Sequence, residues 1–311
     1  MGEVAALISA AIWAGTSIAF TRFAGRTSPA VISGIRLAAA TVVLVGILLA
    51  SGQVGDYGDA SWESLAWIMV SGTLAYAVGD TIYIRVLPML GMQRAFPISM
   101  ALFITFTVVG GVALLDEELT WGLPAGAALV ALGISLIVVP RAEDGIAEPA
   151  PGEGDLVVAD PPGPPLAPSA ASGYALLLLV GIFWASASLL LAGQRGDLGA
   201  IAAGTIRIPA GAIGLLGFVA FAQREELAIP FRDRTLLWGI VLAGLVGTGI
   251  GSMLYVYGVL EAGAARASVL SATAPLMGLP LSILLLKEKL SLLVAAGTVL
   301  CVVGIVLVVV V

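Results

Sequence analysis

The chain has 311 residues, of which 59% are apolar, 11% are charged and none is His. Its 14 basic and 20 acidic residues give a net charge of −6. Soluble domains carry roughly 45–50% apolar and about 25% charged residues, so these charges are too few to cover a water-soluble fold. A spanning helix takes about 20 mostly apolar residues, and the chain reads as ten such stretches. It is expected to be an all-α polytopic membrane protein. A soluble enzyme, a nucleic-acid binder and a secreted disulfide scaffold are excluded. With Cys301 as the single Cys and no His, an internal disulfide cannot form and the usual ligands of zinc or haem are missing. No metal and no cofactor are expected.

In chain order the expected spans are 4–22, 29–50, 64–86, 93–115 and 121–139, then 172–193, 198–222, 235–258, 265–286 and 291–311. The opening MGEVAALISAAIW lacks the basic flank of a cleaved signal peptide, and Ala6 stands where myristoylation needs Ser or Thr. The first stretch therefore reads as a retained span. Residues 140–171 hold eight Pro and six acids. Such a composition cannot pack a core and reads as a disordered or extended linker. It separates a five-helix repeat at 1–139 from a second at 172–311.

The two halves are copies. Shifting the sequence by 171 residues aligns Trp13 with Trp184, Ser17 with Ser188, Arg36 with Arg207, Trp67 with Trp238, and Glu117 with Glu288. The same shift matches Gly126 with Gly297 and Gly133 with Gly304. Shared hydrophobicity does not produce a gapless match of rare Trp, Arg and Glu. Five spans per half would invert one copy relative to the other. Charge supports this, since the loops on one face carry Arg22, Arg26, Arg85, Arg94, Arg141, Arg224, Arg232, Arg234, Lys287 and Lys289, against Arg195 and Arg266 on the other. Equivalent loops of the two halves thus carry opposite bias, as inverted repeats should. By the positive-inside rule the basic face and the linker would be cytoplasmic, with both termini on the same side, outside.

Ionisable groups inside a membrane are costly and tend to mark pathways. Three qualify: Arg36, Asp80 and Arg207. At 1.5 Å per residue, Arg36 lies about 10 Å and Asp80 about 9 Å from the same membrane face, so the two could pair. Arg36 and Arg207 are repeat mates and read foremost as structural anchors. The repeat mate of Asp80 is Gly251, and Tyr76, Asp80 and Tyr83 fall on one helix face. Two readings stay open for Asp80. It either receives a positive group or a coupling proton in a cavity, or forms an ion pair with Arg36 that only locks helices together. Trp13, Thr16 and Ser17, then Trp184 and Ser188, then Ser252, Tyr255 and Ser271 are further cavity candidates. Small hydroxyls in membrane helices often serve packing instead. The Gly247–Gly251 run follows no strand and is read as a packing or bending element, not a phosphate loop.

The stretch Pro275 to Gly304, with Glu288, Leu290-Ser291 and Gly297 at fixed spacing, is similar to the P…E-x-L-[ST]…G…G pattern of the EamA-type ten-helix permeases of the drug/metabolite transporter superfamily. The first half repeats it at Glu117, Leu119-Thr120, Gly126 and Gly133, and both Trp13–Thr16 and Pro29…Arg36 resemble family segments. Ile104 and Ala200 stand where the family carries Pro. The resemblance covers nearly the whole chain except the linker. It implies a central cavity formed by helices 1, 3 and 4 with 6, 8 and 9, and cytoplasmic termini, against the charge count; structural or coupling roles are expected for Arg36, Arg207, Glu117 and Glu288.

The expected function is secondary transport, in the export direction, of a small metabolite or drug-like solute across the cell membrane by alternating access. The expected partners are that solute, a proton or another coupling ion, and membrane lipids, with no nucleic acid; the chain would act as a monomer or homodimer. The competing readings are a membrane-embedded enzyme acting on lipid-linked substrates and a non-transporting scaffold. The enzyme reading is the weaker one, because no nucleophile, base or metal set is assembled in the sequence.

Overall fold

A computed structural model describes residues 1–90, 92–118, 120–138, 170–274, 277 and 292–310. Glu288, Pro275, Leu290-Ser291 and positions 140–169 of the expected linker lie outside the described residues. The two last linker positions, Ala170 and Ala171, already open a helix. Among the described residues the fold is helical, with one isolated bridge between Ala24 and Thr27.

The principal helices are α1 (Gly2–Phe23), α2 (Pro29–Ser51), α3 (Trp62–Leu90), α4 (Met92–Leu114) and α5 (Gly122–Val138). The second half supplies α6 (Ala170–Gln194), α7 (Ala200–Ala222), α8 (Arg234–Ala262), α9 (Ala264–Ser271) and α10 (Leu292–Val310). Among the described residues six are long and apolar enough to cross a membrane: α2, α3 and α7 in full, with Gly2–Phe20, Ala171–Gln194 and α8. Their starts follow capping chemistry. Ser28 caps α2 through Val31 N–H with Pro29 at the first position, Ser61 caps α3 through Ser64 N–H, and Asp233 caps α8 through Leu236 N–H. A short helix at Arg224–Arg232 joins α7 to α8. Glu226 on it accepts bonds from Thr27 Oγ1 and Ser28 N–H, so it ties the α1–α2 loop to the second half.

The molecule wears its apolar side chains outward. Val42, Ile213 and Phe221 are 73%, 75% and 92% exposed, whereas Arg207 is 1% exposed. A soluble fold reverses that order; a lipid-facing one requires it.

Small residues decide where helices meet. α5 and α10 cross at glycines: a Cβ on Gly126 would stand 2.6 Å from the Gly304 carbonyl oxygen, and one on Gly133 would stand 2.5 Å from that of Gly297. Side chains there would force the backbones apart. α2 packs on α7, α4 on α6, and α1 on α8 and α9.

Both α3 and α8 are interrupted by a π-helical stretch, Thr73–Gly79 in the first and Gly244–Gly251 in the second. The 171-residue shift carries one onto the other. Each π segment lies against the arginine of a neighbouring helix. A Cβ on Gly72 would meet the Arg207 carbonyl oxygen at 2.0 Å, and one on Gly244 would meet that of Arg36 at 2.5 Å. The Gly247–Gly251 run is thus a packing element within a π turn, with Gly247 against Thr16 and Gly251 against Trp13. Widened π turns occur frequently at functional sites.

Candidate functional site: a charged cavity between the two halves

The two π segments and the helices around them line a partly open cavity whose empty space, mouth included, is about 760 Å³. α1 lines it with Trp13, Thr16, Ser17 and Phe20, α2 with Arg36, and α3 with Tyr76, Asp80 and Tyr83. α4 adds Phe96, Met100 and Phe103, α6 adds Trp184 and Ser188, α7 adds Arg207, and α8 adds Thr248, Ser252 and Tyr255. Ten of the eleven cavity candidates from the sequence are therefore brought together. Ser271 is not among them: its hydroxyl is buried against α1, 3.5 Å from the Ala6 carbonyl oxygen. The described part of α9 contributes no lining residue, whereas α2 and α7 each bring an arginine. The described residues of α9 pack against α4, α1 and α8, and positions 278–286 of the ninth expected span lie outside the described residues.

Asp80 follows the π turn of α3 and has both carboxylate oxygens engaged. Oδ2 accepts from Arg36 Nη2 at 2.6 Å, and Oδ1 accepts from the Trp184 indole N–H at 2.8 Å. The matching depths counted along α2 and α3 do bring Arg36 and Asp80 together. Their side chains are 5% and 17% exposed, so the pair is held largely out of solvent. The Arg36 guanidinium also stacks 5.1 Å from the centre of the Phe20 ring, a cation–π contact. Gly79 makes room for Trp184, because a Cβ there would approach the indole to 2.8 Å.

Arg207 is placed differently. Its Nε–H donates to Ser71 Oγ at 3.1 Å, and Nη1 lies 3.5 Å from Tyr76 Oη. Its guanidinium sits 5.1 Å from the Tyr76 ring centre. The Ser71 hydroxyl in turn donates to the Ala187 carbonyl oxygen, which turns its lone pairs toward the arginine. Among the described residues no carboxylate lies within ion-pair distance of Arg207.

An aromatic chain crosses between the halves. Trp13 lies 5.2 Å from Tyr255, Tyr255 lies 6.3 Å from Phe103, Phe103 lies 6.2 Å from Trp184, and Trp184 lies 5.5 Å from Tyr83. The Trp13 indole N–H donates to the Gly247 carbonyl oxygen at 3.2 Å, and Ser188 and Tyr255 share a 2.7 Å hydroxyl bond. The walls are largely apolar with a few fixed polar groups, which is the composition of small-molecule sites.

These observations match what comparison with known proteins finds. The family model for EamA-like transporters matches residues 1–139 and again residues 171–310. The chain belongs to the EamA-like transporter family. EamA membership makes it a multi-pass membrane transporter of the drug/metabolite type, with a small-molecule solute and membrane lipids as its partners. A protein of known crystal structure superposes with a TM-score of 0.74, at 17% identity, covering 98% of this chain and 94% of the other. At that identity the likeness speaks for the fold alone. No curated protein sequence matches the chain.

Outside the cavity, Glu117 works as a bridge between the EamA repeats. Asp116, at φ 50°, turns the chain after α4 so that the Glu117 carboxylate meets the start of α9. Oε1 accepts from Ala264 N–H at 2.7 Å and Oε2 from Ala265 N–H at 3.0 Å. A carboxylate at a helix N-terminus satisfies orphan amides and suits the helix dipole. Phe20, Phe96, Met100, Phe103, Thr248 and Ser71 are among the site residues that sequence reasoning missed. They are ordinary apolar or small residues of membrane helices, and only the fold selects them.

Proposed function

We propose that this EamA protein is a secondary transporter that exports a small solute by alternating access around the cavity between its halves. The observation that carries the reading is the cavity itself: both halves line it, it holds three charged side chains, and it sits beside two helices interrupted by π turns. Ten spans in two inverted five-helix repeats are part of the proposal. The contacts support it, since the α1–α8 and α3–α6 contacts exchange under the 171-residue shift, as do α1–α9 and α4–α6. Inverted repeats around one site make alternating access a rocking of one half against the other. The π segments at Thr73–Gly79 and Gly244–Gly251 would serve as bending points, and the Glu117 cap as a contact made or broken at one end.

The test is solute flux in proteoliposomes, with and without a pH gradient, using a panel of labelled small metabolites. Saturable, protein-dependent flux of one or more solutes is expected. A folded protein that carries none of the panel in either direction contradicts the transport reading.

A further inference from the structure

We propose that the cavity receives its solute as an anion, a small organic carboxylate with an apolar, ring-sized body, held by Arg207. The inference rests on the transport reading only in placing the solute in the cavity; what it adds is the charge and shape of that solute.

Three charged side chains line the cavity. Arg36 and Asp80 neutralise each other across 2.6 Å. Arg207 is 1% exposed and has neutral partners only, the Ser71 and Tyr76 hydroxyls. A guanidinium cannot lose its proton in a protein and offers five N–H donors. Two of these are engaged, and three have no partner among the described residues. The cavity therefore carries one uncompensated positive charge, and its position in the second half has no acid to match because Gly251 stands where the first half has Asp80.

A buried cation without a counter-ion is unfavourable, and an incoming anion removes that cost. The planar fork of a guanidinium matches a carboxylate with two parallel bonds. A single surplus charge balances a monoanion and would leave a phosphate dianion in excess. A cationic solute meets the opposite situation. It is repelled by Arg207, and Asp80, the one carboxylate on the wall, already has one oxygen on Arg36 and the other on Trp184. The body of the solute is set by the rest of the lining, where Trp13, Tyr255, Phe103 and Trp184 form a connected aromatic surface.

Trp13 and Trp184 in the wall make intrinsic fluorescence a direct reporter of binding. The purified full chain in detergent is titrated with three probes of nearly one shape: phenylacetate, phenylacetamide and phenethylamine. Phenylacetate should bind roughly 10- to 100-fold more tightly than the amide, the span expected for a charge-assisted bond against a neutral one, with the amine weakest. Arg207→Gln should erase the difference between acid and amide, and Arg207→Lys should keep a smaller one. If Arg207→Gln does not fold, the ranking of the probes on the unmodified protein decides alone. Equal binding of acid and amide, tightest binding of the amine, or no binding of any probe overturns the proposal. Arg207-dependent phenylacetate binding without any flux would sink the transport reading and leave this inference standing. Flux of amines with no carboxylate binding would do the reverse.

Discussion

Arg36 and Arg207 hold equivalent positions in the two EamA repeats, and their surroundings differ. Both lie on a helix that packs against the π segment of the opposite half, through Gly244 for Arg36 and Gly72 for Arg207. The backbone setting is thus shared. The side chains diverge: Arg36 turns to Asp80 on α3 of its own half, while Arg207 reaches Ser71 and Tyr76 on α3 of the other half. The repeats differ at three positions around the arginines: under the 171-residue shift Asp80 faces Gly251, while Ser71 and Tyr76 face Leu242 and Gly247, so one arginine is half of an ion pair and its mate has hydroxyl partners. Repeat symmetry preserves the scaffold, and the departures from it carry the chemistry.

The comparison breaks most visibly at Asp80. Asp80→Asn leaves Arg36 buried without its counter-ion, which costs about 3–5 kcal/mol when a buried pair loses one partner. Thermal or denaturant unfolding in detergent should register that loss, and adding Arg36→Gln should restore part of it. An Asp80→Asn protein as stable as the parent would mean that the pair does not hold α2 against α3.

A smaller effect is expected from Gly79→Ala. The new methyl group would meet the Trp184 indole and push it off Asp80, and overpacking of this kind costs roughly 1–3 kcal/mol. The loss should shrink when Trp184→Phe is already present, because the smaller ring leaves room. Equal losses in both backgrounds would place the strain elsewhere.

Glu117→Gln comes next. The amide still offers one oxygen to Ala264 or Ala265, so about 0.5–2 kcal/mol is expected, the range for a lost helix cap. Amide hydrogen exchange at Ala264 and Ala265 should quicken while the α2 amides stay unchanged. Unaltered exchange at both positions would show that the carboxylate does not secure the start of α9.

Much of this was legible in the sequence, and the limits have physical reasons. The helices follow from the apolar stretches and their Ser, Asp and Pro starts, as at Ser28-Pro29 and Asp233. The Arg36–Asp80 contact follows from counting depth along two helices that emerge on the same face. The solitary charge on Arg207 was implicit in Gly251, the glycine that stands opposite Asp80 in the alignment of the repeats. The π turns are only half legible, since the Gly247–Gly251 run reads as a packing or bending element while Thr73–Gly79 reads as ordinary apolar helix. Ser271 was misplaced because a helix buried on several sides has no polar face to reveal which side meets a cavity. Glu117 could be matched to a family motif, but its partners at 264 and 265 are brought to it by the fold alone.

The contrast between the two arginines is tested most directly by the unfolding free energies of Arg36→Gln and Arg207→Gln, taken side by side in the same detergent. Arg36→Gln strands a buried carboxylate and should lose about 3–5 kcal/mol. Arg207→Gln removes a charge that has no counter-ion and should lose less than about 1 kcal/mol or gain stability, in line with the modest net worth of bonds to neutral hydroxyls. Equal losses, or a larger loss at Arg207, would contradict the assignment of Arg36 to the pair and Arg207 to the solute.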